Sequence, residues 1–175
     1  MLLEDARPHD VPAIVALMNL AYRGSGAVPS WNSEGAYIAG DRTSVVLLEA
    51  ERTAHPEAHL LVWRGEAGAG PAACVWLQPL GAGRWYLGSL AVDPALQDGG
   101  IGRRMLEACE AWITARQGRI VRMTVVHVRE ALIAWYLRRG YSLTGEAEPF
   151  PYEDHRFGTP RRDDLHFVIL EKALG

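Results

Sequence analysis

The chain has few of the features that would point away from an ordinary globular enzyme. It has only two cysteines, Cys74 and Cys109, both inside apolar segments and without the paired spacing of metal ligands. That usage points to buried thiols in a reducing compartment and to no structural metal. No apolar run approaches ~20 residues, so nothing reads as a membrane span. The opening stretch Met1–Arg7 lacks the charged-then-apolar layout of a secretory leader, and the expected location is the cytoplasm. Positive charge is not in excess. The 18 Lys and Arg against 21 Asp and Glu leave a net charge of −3, which argues against an extended nucleic-acid surface. Internal repeats and low-complexity tracts are absent, and one domain over 1–175 is expected.

What is present is an ordinary globular composition with clear periodicities: 49% hydrophobic and 22% charged residues, enough for a real core. A short strand at Leu2–Ala6 leads to Asp10, a good helix N-cap. Val11, Ile14, Val15, Met18 and Tyr22 then recur at helical spacing. Ser33 is placed to cap a short helix over Glu34–Ala39, and Thr43 or Ser44 to cap one over Val45–Glu51, although Val45–Leu48 reads equally as strand. Leu60–Trp63, Ala73–Leu77 and Trp85–Val92 are β-like and separated by glycine-rich turns, which predicts three consecutive antiparallel strands. A helix follows with Met105, Leu106, Cys109 and Ile113 on one stripe. Next come a strand over Ile120–Val126, a helix over about Arg129–Arg139, a strand at Tyr141–Thr144, a loop over Glu146–Asp164 and a last strand at Leu165–Leu170. A helix joining Trp85–Val92 to Ile120–Val126 makes that pair parallel. The expected fold is α/β, with one mixed, mostly antiparallel sheet flanked by helices. An exposed edge strand at either end of it would support a homodimer.

The most informative stretch is Gln97-Asp98-Gly99-Gly100-Ile101-Gly102-Arg103-Arg104, between an apolar strand and an amphipathic helix. A strand that turns through three glycines into a helix builds a cradle for phosphate. The first N–H groups of a helix have no intrahelical partner, and its dipole adds about half a positive charge there. A P-loop would need Lys-Ser/Thr after the last glycine, where this chain has Arg103-Arg104. A dinucleotide fingerprint belongs to the first βαβ unit, whereas three strands precede this cradle.

A second signal is Arg129-Glu-Ala-Leu-Ile-Ala-Trp-Tyr136-Leu-Arg-Arg-Gly140-Tyr141. Arg129 and Tyr136 lie seven apart, about two helical turns, and so share a face. The glycine cradle after Leu90-Ala91-Val92, the parallel partner strand, Tyr136 with Gly140-Tyr141, and Ala6-Arg7-Pro8-His9-Asp10 before the first helix together resemble the GNAT superfamily of N-acetyltransferases. The resemblance covers nearly the whole chain. It implies a sheet splayed between its two parallel strands to admit acetyl-CoA. Gln97, Asp98, Gly99, Gly100, Ile101, Gly102 and Arg103 match the pyrophosphate loop, and Leu90, Ala91 and Val92 match the strand that pairs with pantetheine. Gly88 suits a β-bulge aiming an amide at the thioester carbonyl. Tyr136 matches the tyrosine that protonates the leaving thiolate. Arg129 stands where the family usually has Asn: it either contacts the cofactor instead or points elsewhere.

Acyl transfer to an amine needs a neutral amine, a stabilised oxyanion and a protonated leaving group, and no covalent enzyme intermediate. The expected function is an acetyl-CoA-dependent N-acetyltransferase acting on a small-molecule primary amine, with no nucleic-acid or membrane partner. Protein N-terminal or lysine acetylation is the rival activity, and a non-catalytic acyl-CoA sensor the rival class. For the acceptor, Trp31, Tyr86 and His127 are candidates. His127 sits past the C-terminal end of a strand, where open sheets place ligands. Trp85, Phe150, Tyr152 and Phe157 could line an acceptor cleft, and Glu34 or Asp41 could attract a cationic amine, although each has an ordinary role in packing or solvation.

Overall fold

The computed structural model describes residues 1–24, 30–31, 33–65, 70–97 and 99–175. In chain order the elements are β1 (Glu4–Asp5), α1 (Val11–Arg23), β2 (Ile38–Ala39), α2 (Val45–Ala54), β3 (His59–Trp63), β4 (Ala73–Gly81) and β5 (Arg84–Val92). They continue with α3 (Ile101–Thr114), β6 (Ile120–Val126), α4 (Glu130–Leu137), β7 (Ser142–Pro149), β8 (Thr159–Pro160) and β9 (His166–Ala173). Seven strands form one sheet in the order β1-β3-β4-β5-β6-β9-β7, antiparallel except for the parallel pair β5·β6, and β2 and β8 form a separate ribbon. Among the described residues no helix is long and apolar enough to cross a membrane.

Both faces of the central strands are covered, whereas the edge strand β7 is exposed along its length, and the period-two alternation of the central strands feeds both sides. Leu61, Val75, Leu87 and Met123 pack with the α3 stripe Met105, Leu106, Cys109 and Ile113, the stripe the sequence predicts. Leu60, Val62, Cys74 and Trp76 pack on the other face against Ile14, Met18 and Leu48 of α1 and α2. Each such fully buried aliphatic side chain is worth roughly 1.5–3 kcal/mol.

The local expectations fail in three places, each for a visible reason. Asp10 does not cap α1 with its side chain. Its carboxylate accepts from the Arg7 N–H at 2.8 Å and takes the Arg64 guanidinium at 2.9 and 2.7 Å. That guanidinium holds the Asp10 carboxyl well below the usual carboxylate range. The segment after Ser33 is a turn followed by β2, not a helix, because the Ser33 hydroxyl accepts from Gly35 N–H and the Glu34 side chain is drawn inward. The expected 146–164 loop begins later: β7 continues to Pro149 along β9, and β8 pairs with β2. Over 45–51, helix wins over strand, with the Ser44 hydroxyl accepting from Leu47 N–H at 3.2 Å. Pro29, the expected breaker after α1, and part of the Gly65–Gly70 turn lie outside the described residues.

One irregularity positions the site. β5 and β6 pair only from Arg84–Tyr86 to Ile120–Arg122, after which β6 stays with β9 as far as Val126 while β5 leaves it. On its other side β5 carries one extra residue between Gly88 and Ala91 relative to β4, a bulge in which Ser89 has φ 51°. A bulge bends its strand and disrupts the local ladder, and a non-glycine residue in the left-handed region costs on the order of 1 kcal/mol. The sheet is therefore split from the bulge onward.

Candidate active site

A cleft of about 430 Å³ opens on one side of the split, lined by the end of β5 (Leu90–Val92), the start of α3 and one face of α4. Gly100 begins α3 with φ 72°, so Ile101, Gly102 and Arg103 present N–H groups without intrahelical partners, while Arg104 N–H already bonds the Gly100 carbonyl at 3.1 Å. Glycines 100 and 102 both line the cleft. Gly99 adjoins the cradle, and Asp98 lies outside the described residues. Gln97 also lines the cleft, while its side chain braces the rim, donating to the Ser30 hydroxyl at 3.1 Å and accepting from Trp31 N–H at 3.4 Å.

Positive charge gathers at the same cleft from Arg103, Arg138 and Arg139. Arg139 lies flat on the Trp135 ring, 3.6 Å from its centroid, and donates to the Trp135 carbonyl at 2.7 Å. Its Nε is buried with no hydrogen-bond partner among the described residues. Burial and the charges of Arg138 and Arg103 depress its pKa. A cluster of guanidinium groups, a buried N–H without an acceptor and a glycine-opened helix start all suit a phosphorylated ligand.

Tyr136, buried in α4, lines this cleft. Its ring sits edge-on between Trp135 and Tyr141, with centroids 5.0 and 5.5 Å away. Among the described residues nothing hydrogen-bonds its hydroxyl. Burial pushes its pKa well above the usual tyrosine value, reinforced by Tyr22 and opposed by Arg129, so the proton stays on. Tyr22, from α1, donates its hydroxyl to the Leu90 carbonyl at 3.0 Å and is itself pushed up to about 12 by burial. The carbonyl of one expected pantetheine-pairing residue is thus already in use.

A second pocket, of about 260 Å³, lies beside Ser89 and Gly88. Its wall holds a buried ion triad: the Glu34 carboxylate receives the Arg129 guanidinium at 2.6 Å and pairs closely with Arg23, whose other nitrogen donates to the Phe157 carbonyl at 2.9 Å. All three of these side chains are no more than 8% exposed. Arg42, Tyr86, Phe157, Glu51 and Asp154 are also in the lining, and Tyr86 shares a hydrogen bond with the Thr124 hydroxyl at 3.2 Å.

The sequence-derived site residues separate accordingly. Leu90, Ala91, Val92, Gln97, Gly100, Ile101, Gly102, Arg103 and Tyr136 converge on the first cleft. Trp31, an acceptor candidate, lies there too, 6.3 Å from Trp135. Arg129, at the position the resemblance gives to the cofactor, lines the second pocket and is engaged by Glu34. Tyr86 lines the second pocket. His127 is stacked on His166 at 3.9 Å and lines neither. Arg23, Arg42 and Tyr22 carry no sequence signal of function. Phe157 lies more than 100 positions from each of them, and no regular spacing links them to Glu34, so only folding joins the set.

Comparison with known proteins agrees with this geometry. The model of the acetyltransferase (GNAT) family matches residues 21–141. A search of curated proteins gives no match. Similar solved structures include a putative phosphinothricin N-acetyltransferase, with 15% identity over 99% of this chain and 98% of that one and a TM-score of 0.71. Another is the ribosomal-protein-alanine N-acetyltransferase from Brucella melitensis, at 19% identity, 99% and 100% coverage and a TM-score of 0.68. A third is an N-acetyltransferase from Staphylococcus aureus Mu50, at 16%, 99% and 98%, with a TM-score of 0.69. With the family model spanning most of the chain, and a split sheet, a glycine cradle and a tyrosine in the cleft, the protein belongs to the GNAT family of acetyltransferases.

Proposed function

We propose that the protein acetylates the primary amine of a small molecule by direct attack, with acetyl-CoA in the cleft between β5 and α4. The observation that carries this reading is the Tyr136 hydroxyl, buried at the cleft beside the split and without a hydrogen-bond partner among the described residues. Bound acetyl-CoA supplies an activated acetyl group and a thiol leaving group. The chain's own groups do the rest. The free amides at the start of α3 and the three arginines hold phosphate, and the edge of β5, freed where its pairing with β6 ends, offers main-chain groups to the ligand. The Tyr136 Oη keeps its proton and is the group placed to give one to a departing thiolate. A pocket of about 260 Å³ suits a small acceptor. Cys74 and Cys109 are free and buried, which supports a reducing compartment such as the cytoplasm.

The test is transfer of labelled acetyl from acetyl-CoA across panels of small amines and peptides, with CoA binding followed by calorimetry. Transfer to small amines is the expected result. Transfer to peptides alone would replace this reading with protein acetylation. CoA binding without turnover on any acceptor would replace it with a non-catalytic acyl-CoA sensor.

A further inference from the structure

The charges of the second pocket do not match a simple amine. Most amines are cations at neutral pH. The lining holds three arginines and three carboxylates, but only Arg23, Arg129 and Glu34 among them are buried, and these carry more positive charge than negative. The triad sets two guanidinium groups, Arg23 and Arg129, against the single Glu34 carboxylate. Asp154 is held bidentately by Arg156, at 2.8 and 2.6 Å, and Glu51 is exposed at the rim. Glu34, locked between two arginines, offers nothing to an ammonium group.

Arg42 differs from the other arginines of this pocket. Its main chain is fixed on α1: the Asn19 amide oxygen accepts from Arg42 N–H at 2.8 Å and Thr43 N–H at 3.0 Å, and the Asn19 amide nitrogen donates to the Thr43 carbonyl at 2.9 Å. Its guanidinium rests against the faces of Tyr22 and Phe157, 5.6 and 5.3 Å from their centroids. Among the described residues it has no carboxylate partner, whereas Arg23, Arg129 and Arg156 each have one. Aromatic faces hold a guanidinium in place without consuming its N–H edge, and that edge is the fork that matches a carboxylate or similar oxyanion.

We propose that the acceptor is an amine that also bears an acidic group, an amino acid or a close analogue, and that Arg42 docks that group. The proposal rests on the reading of this pocket as the acceptor site. An acid-bearing amine enters as a zwitterion, avoids the repulsion that a plain ammonium meets, and gains a charge-assisted pair with Arg42. The positive wall then favours the neutral form of the bound amine, the form that attacks.

The experiment compares matched acceptors, amino acids against the amines that lack only the carboxylate, on wild-type protein, Arg42→Gln and Arg42→Lys. Wild-type kcat/KM is expected to favour the acid-bearing partner by about 100-fold. Arg42→Gln brings that ratio to within about tenfold, mainly through KM, and Arg42→Lys restores part of it. CoA affinity by calorimetry, retained in both variants, separates lost docking from lost folding. Equal use of both partners by wild-type protein overturns the proposal and leaves acetyl transfer standing, as does a ratio that survives Arg42→Gln. If neither class is acetylated although CoA binds, the reading of this pocket as a small-amine acceptor site itself falls.

Discussion

The cleft beside α3 is built largely from main chain, the pocket beside Ser89 from side chains. In the first, the working groups are the N–H groups of residues 101–103, released by a glycine with φ 72°, and the edge of β5 freed where the sheet splits. In the second they are arginines delivered by α1, the segment before α2 and the start of α4, with Glu34 holding Arg23 and Arg129 in place. A main-chain site asks little of residue identity beyond glycine and can serve one constant ligand. A side-chain site can be remade residue by residue and so suits the partner that varies. The two come together at β5, where Tyr22 of the second pocket donates to the carbonyl of Leu90, a residue that lines the first cleft.

The comparison breaks most decisively at Tyr136, where one side chain in the main-chain cleft is assigned the chemistry. Tyr136→Phe is expected to lower kcat by about 10²–10⁴-fold, the usual range for a lost general acid, while calorimetric CoA affinity is kept. A kcat within threefold of wild type removes the acid role. Because burial raises the Tyr136 pKa, the group stays protonated across the working range. The sign is then fixed: kcat/KM rises with pH as the amine loses its proton, and the phenol produces no fall below about pH 10. A descending limb centred near pH 7–8 would assign the acid to another group.

Glu34→Gln comes next and addresses the other pocket. It removes the one negative charge between two buried guanidinium groups, leaving like charges facing each other. The expected loss is about 3–5 kcal/mol of stability, read as a lower urea midpoint at unchanged m-value. Loss of less than about 1 kcal/mol would show that the triad is solvated rather than structural.

These differences explain what the sequence discloses. The α3 stripe, the three antiparallel strands, the parallel pair and the Gly100 cradle are local or periodic, so each leaves a pattern in adjacent residues. The 34–39 helix fails because a long-range contact, Glu34 to Arg129 across 95 positions, overrides a local capping signal. The β2·β8 ribbon escapes notice because two-residue strands have no periodicity to read. Glu34 is legible as a candidate charge, but the triad is not, since neither Arg23 nor Arg129 has any relation to it along the chain. Arg42 looks like one more solvated arginine until Tyr22 and Phe157 are folded against it.

The smallest effect belongs to the cradle itself, and it tests whether conformation rather than bulk makes the cleft. An added Cβ meets nothing within 4 Å at Gly100, whereas at Gly99 the nearest atom is the Leu96 carbonyl oxygen at 3.6 Å, ordinary contact. On space alone Gly100→Ala is the milder change. On conformation the order reverses, because Gly100 alone of the two has a positive φ, and alanine there costs roughly 1–2 kcal/mol. If the residue relaxes out of that region, the N–H groups of Ile101 and Gly102 turn away from the cleft. Gly100→Ala should therefore weaken CoA binding by about tenfold, while Gly99→Ala stays within about 0.5 kcal/mol of wild type. Calorimetry on the two variants decides it. The reverse order would mean that close approach of the ligand, not the turn, is what the glycines supply.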